Sequence, residues 1–126
     1  MPEQYELRRN SIALYIVTEL SADDDTNGFL GKSIYFGSEV NQNEVDIIAS
    51  IGGNKTAFVF VDTVNQEEIR NKIKRISSQN NKICIVFFDN ALRHELSKAV
   101  PQKCGMLCYS NAFGFGMIFQ LFREWS

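Results

Sequence analysis

The stretch that most constrains this chain is Thr56-Ala57-Phe58-Val59-Phe60-Val61, an apolar run of β-type residues that stops at Asp62-Thr63. Such a run between polar turns predicts a strand covered on both faces, as in a parallel sheet. In open parallel sheets, ligands and chemistry collect beyond the carboxyl ends of the strands. Asp62 therefore stands where a functional carboxylate is expected, although an Asp opening a turn is also ordinary capping chemistry.

The rest of the chain is read around that strand. Residues 1–10 are polar and read as a lead-in to one domain over 11–126, with Arg8-Arg9 ahead of the first apolar run. The patterning predicts strands over 11–17, 32–38, 56–63, 82–88 and 104–109. It predicts helices over 41–51, 65–78, 91–100 and 113–125, while residues 20–27 carry no clear helical period. Gly52-Gly53 reads as a C-terminal helix stop. The 65–78 helix has the strongest pattern: Glu67 and Glu68 in its first turn, Ile69, Ile73 and Ile76 as its apolar stripe, and basic residues towards its end. Five strands alternating with helices call for a single doubly wound α/β domain, flavodoxin-like, with a five-stranded parallel sheet and helices on both faces.

Composition narrows the function classes. At 126 residues and 44% hydrophobic, the chain can bury a core without staples. A net charge of −2 without a basic block argues against direct nucleic-acid binding by this domain. No apolar run approaches the roughly 20 residues of a membrane span. Cys84, Cys104 and Cys108 are odd in number and lie in apolar runs, which reads as buried reduced thiols in a cytoplasmic protein. A metal site at Cys104 and Cys108 would have only His94 to help it, and that histidine reads as a surface residue. Asn54-Lys55-Thr56 matches a glycosylation sequon, but no signal peptide accompanies it.

If all strands are parallel, one sheet edge gathers Thr18-Glu19, Asp62-Thr63, Asp89-Asn90 and Ser110-Asn111. Clustered carboxylates there suit Mg²⁺, which takes one or two carboxylates plus waters. Capping or turn solvation is the plainer role of each. With this spacing and Asp62 closing strand three, the chain resembles the receiver domain of two-component response regulators. The resemblance implies a phospho-acceptor at Asp62, Mg²⁺ held by Glu19 and Asp62, and switch positions at Asn90 and Asn111. The chain departs from that pattern at several points. Only Glu19 of the expected acidic pair is acidic, with Asp23 to Asp25 following in the loop. No Ser or Thr follows strand four and no Lys follows strand five, which makes this an atypical or pseudo-receiver.

Residues 26–33, Thr-Asn-Gly-Phe-Leu-Gly-Lys-Ser, miss the phosphate-binding P-loop pattern at the first Gly, and they lead into a strand instead of a helix. No nucleophile–base constellation is present, so a non-enzymatic role is expected. The last helix is apolar beyond one face, and Phe115, Ile118, Phe119 and Phe122 are its interface candidates. The expected function is a regulatory signalling domain acting as a homodimer or through a fused or partner output domain. The alternative is a small flavodoxin-like nucleotide sensor using the same strand-end cleft, with Gly28 and Gly31 offering backbone N–H groups to an anion.

Overall fold

The computed structural model describes the backbone of residues 2–22 and 32–109, and the side chains of 5–18 and 32–109. The elements are α1 (Pro2–Ala22), β1 (Lys32–Phe36), β2 (Ile47–Ile51), β3 (Asn54–Val61), α2 (Gln66–Ser77), β4 (Lys82–Phe87), α3 (Arg93–Ala99) and β5 (Gly105–Cys108). Short 3₁₀ turns at Gly37–Val40 and Asn90–Leu92 complete them. The five strands form one open sheet in the order β1-β2-β3-β4-β5. β1–β2 and β2–β3 are antiparallel, whereas β3–β4 and β4–β5 are parallel.

The α/β class and the five-stranded open sheet are as expected, but the sheet is mixed and not purely parallel. Two misread segments explain the difference. Residues 41–51 are not a helix: they form a turn and then β2. Val45, Ile48 and Ala49 have helical spacing, yet Ile47, Ile48 and Ala49 are all buried because a central strand is covered on both faces. Gly52-Gly53 is accordingly a two-residue hairpin turn, with both glycines at positive φ (56° and 87°). It joins the facing pair Ile51 and Asn54, and only glycine supplies that backbone without strain.

Residues 11–17 are not a strand either. They lie within α1, which also takes up nearly all of the expected lead-in. Tyr5, Arg8, Arg9, Ile12 and Ile16 are spaced i, i+3, i+4, i+7 and i+11, so they share one helix stripe. Ile12 and Ile16 are fully buried, while Leu14 between them is exposed. Each of the two isoleucines contributes roughly 1.5–3 kcal/mol by burial.

The sheet separates two apolar layers by residue parity. On β3, Ala57, Val59 and Val61 face α2 and α3, and Phe58 faces α1. On β4, Ile83, Ile85 and Phe87 take the first face, and Cys84 and Val86 the second. Successive parallel crossovers in one direction place α2 and α3 on the same face when both are right-handed. α1 then covers the opposite face.

α2 starts where its sequence says it should. The Asn65 side-chain oxygen accepts from the Glu68 N–H at 3.1 Å, capping the first turn. Asn65→Ala is expected to lower stability by about 1 kcal/mol, read as a shifted urea midpoint at unchanged slope. The far end of α2 is tied to the loop before β2. Asn80, itself buried, donates to Gln42 Oε1 and to the Ile76 carbonyl, both at 2.8 Å. Arg75 grips Glu44 through two nitrogens at 2.6–3.0 Å. These contacts fix the loop that carries Asp46.

Candidate functional site

The carboxyl ends of β3, β4 and β5 and the start of β2 lie along one sheet edge, and α1 crosses it. Side chains on the α1 face of that edge form an aromatic row. Phe60 meets Phe88 edge-on at 5.4 Å between centroids, and Phe88 meets Tyr109 at 6.4 Å. α1 closes both ends of the row, with Tyr5 6.0 Å from Phe60 and Tyr15 5.0 Å from Tyr109. Arg8 lies over the middle ring, its guanidinium carbon 4.4 Å from the Phe88 centroid. Arg9 sits between Phe36, at 3.8 Å, and Tyr5, at 5.6 Å. The two arginines that read as a solvated lead-in are therefore held against aromatic faces, an arrangement that planar guanidinium favours.

A cavity of about 250 Å³ opens at this edge, lined by Tyr5, Arg8, Asp46, Phe60, Asp62, Lys72 and Phe88. Asp62 is there as expected, strongly exposed, with its Oδ1 3.0 Å from Arg8 Nη1. Asp46 joins it for a reason built into the sheet. β2 and β3 stop pairing at Ile47 and Phe58, and one step further the Asp46 carboxylate accepts the Phe60 N–H at 2.7 Å. The side chain continues the ladder where the backbones part. The other Asp46 oxygen accepts from the Tyr5 hydroxyl.

Electrostatics distinguish the two acids. Burial raises the Asp46 carboxyl above its ordinary range, against the opposing pull of the Tyr5 and Phe60 donors and of the Lys72 and Arg9 charges. The Tyr5 hydroxyl is pushed up to about 12, first by burial and then by the Asp46 carboxylate. The sign of the linkage follows. An acid whose folded pKa is raised stabilises the fold below its unfolded pKa, and that contribution is lost as pH rises through the folded value. Asp46→Asn keeps an acceptor for Phe60 and a partner for Tyr5 without the charge. Urea denaturation from about pH 3 to about pH 7 is expected to show the variant gaining on the native protein as pH rises.

The remaining expected site residues are placed differently. Glu19 lies in α1, eleven residues beyond Arg8, which is about 16 Å along the helix. Glu19 thus belongs to a helix and not to a strand end; the second carboxylate lining the cavity among the described residues is Asp46. Asn90 begins the 3₁₀ turn after β4 and accepts from Arg93 Nε at 3.1 Å, away from the cavity. Its neighbour Asp89 caps that turn through the Ala91 N–H at 3.0 Å. Asn111, Phe115, Ile118, Phe119 and Phe122 lie outside the described residues, as do Gly28 and Gly31. Cys84, Cys104 and Cys108 form no disulfide with one another, and burial raises the thiols of the first two. No group of three metal-ligating side chains occurs among the described residues, and none of the helices searched there is long and apolar enough to cross a membrane.

Tyr5, Arg8, Asp46 and Lys72 were not marked as site residues by sequence reasoning. The usable signals were the two apolar runs flanking Gly52-Gly53, which mark a hairpin with Asp46 at its mouth, and the stripe joining Arg8 to Ile12 and Ile16. No protein-family model, curated protein or solved structure matches the chain.

Proposed function

We propose that this domain is a regulatory binding module without catalytic activity, whose edge cleft takes a small anionic ligand bearing a planar ring, a mononucleotide by class. One observation carries the reading. Two cations, Arg8 and Lys72, and two aromatic side chains, Phe60 and Phe88, line a single cavity beyond the carboxyl ends of parallel strands. A phosphate would replace Asp62 as the partner of Arg8, exchanging an exposed ion pair worth about 0–1 kcal/mol for a charge-assisted contact. A base would stack in the aromatic row, and the carboxylates are acceptors for hydroxyl or amino groups. At about 250 Å³, the cavity lies just below the usual range of roughly 300–1,000 Å³ for ligand sites, which favours a mononucleotide, partly exposed when bound, over a dinucleotide.

An amide NMR titration with AMP, adenosine and inorganic phosphate probes this directly. AMP is expected to give saturable shifts at residues 8, 60, 62, 72 and 88, with adenosine and phosphate each at least about tenfold weaker. No saturable shift at those positions with any of the three would remove the reading.

The receiver-like alternative keeps support from one feature: Asp62 closes β3 as an exposed carboxylate with the Arg8 guanidinium 3.0 Å away. Under that reading Asp62 attacks the phosphorus of a small phosphodonor such as acetyl phosphate. An acyl phosphate forms and acetate leaves. Intact-mass spectrometry after acetyl phosphate treatment would show one added phosphoryl group, absent in Asp62→Ala. Only the β3-α2-β4-α3-β5 half shares the flavodoxin-like layout. Cytoplasmic placement rests on an odd number of cysteines set in apolar runs, and output through a dimer or a fused domain rests on the apolar 113–125 segment.

A further inference from the structure

On the face of the sheet away from α1, α2 and α3 leave a hollow of about 280 Å³ between them. Its floor is apolar and buried: Ile73, Ala99 and Val100. Its rim is cationic: Arg70, Lys74 and Lys98 all line it, and no carboxylate is among its described lining residues; Lys98 also lies 3.8 Å from Glu95, an exposed pair that solvent screens and a ligand carboxylate can displace. In a chain of net charge −2, three converging cations over an apolar floor form a local concentration of positive charge. Basic residues late in a helix also complement its dipole, which accounts for Lys74 and Lys98. That role does not explain Arg70, which sits mid-helix and is anchored by donating to the Lys98 carbonyl at 3.1 Å and to Gln66 at 3.3 Å. The anchoring holds α2 and α3 at the spacing that keeps the hollow open.

We infer that this hollow is a docking site for an acidic peptide segment of a partner protein, one apolar side chain seated on the Ile73, Ala99 and Val100 floor and flanking carboxylates on the rim. The charge complementarity selects the occupant. The floor has room for one or two side chains, and three exposed cations reward carboxylates on both sides of such an anchor. The hollow and the edge cleft share no lining residue, although α2 contributes Lys72 to the cleft.

The probe is the blocked hexapeptide Glu-Glu-Leu-Phe-Glu-Glu, titrated into the full chain by amide NMR beside its all-glutamine counterpart. Saturable shifts are expected at residues 70, 73, 74 and 98–100. Binding is expected to weaken about tenfold or more with the glutamine peptide and with the double reversal Lys74→Glu, Lys98→Glu. Both reversed residues are exposed, so the fold should survive, and retained dispersion across the remaining amides would verify that. The inference is overturned by no saturable shift up to about 5 mM peptide, or by equal binding of the two peptides. Shifts that follow protein concentration instead of peptide would assign the hollow to a second copy of the chain, which also contradicts it.

Discussion

Replacing Gly37 with alanine is expected to abolish folding, or to lower stability by about 3 kcal/mol or more. A Cβ at this position would lie 1.8 Å from the Val45 carbonyl oxygen and 2.4 Å from that of Gln42. Both obstacles are backbone, so a side-chain rotation cannot relieve them. The loop they belong to is closed on itself: Gln42 N–H donates to the Gly37 carbonyl at 2.8 Å, and Gly37 N–H to Asp46 at 3.3 Å. Moving it would unseat Asp46 from Phe60 and break the link from Gln42 to Asn80. Overpacking of this kind usually costs 1–3 kcal/mol when side chains can give way, and more when they cannot. Urea denaturation followed by circular dichroism reads the result; a midpoint within error of the native one would mean that the loop is looser than described.

Phe58→Ala is expected to cost about 3–5 kcal/mol, the usual range for truncating a fully buried Phe. Phe58 is 1% exposed and sits at the centre of the layer under α1, with Ile12, Ile16, Ile47 and Leu107. The loss should also have a local signature. α1 is held to the sheet by this layer, by the Arg8–Asp62 pair and by the Tyr5–Asp46 hydrogen bond. Hydrogen exchange in the variant should therefore rise first in residues 8–18, ahead of β4. Uniform acceleration across the chain would instead make α1 and the sheet a single cooperative unit.

The second half of the domain was legible because its patterns are unmixed. Glu67, Glu68, the Ile69–Ile73–Ile76 stripe and the cap at Asn65 agree with one another, and the short apolar runs of β3, β4 and β5 admit one reading. The first half was not, for two physical reasons. Ser11 to Val17 contains enough β-branched and aromatic residues to look like a strand. Its helical stripe is visible only if Arg8 and Arg9 count as inward-facing, which stacking on Phe88 and Phe36 makes them. Ile47 to Ala49 matches a helical stripe by coincidence, because a strand covered on both faces has no alternation to reveal it. Both errors hid the site. Asp62 was found from the end of one strand, but its partners come from a helix and a hairpin that were read as something else. The acidic pair was expected after a first strand, and the segment read as that strand belongs to α1.

A ligand role for the edge cleft rests on Arg8, Lys72, Phe60 and Phe88 lining one cavity. The most direct measurement is calorimetric titration of AMP into the native chain and into Arg8→Ala, with Phe88→Ala as a second variant that keeps the charge. Arg8→Ala removes the guanidinium facing the cavity, and both variants are expected to weaken binding about tenfold or more, with stability changed by about 1 kcal/mol or less for Arg8→Ala. Native affinity retained in both variants, or no heat of binding to the native chain, would contradict a ligand role for this cleft.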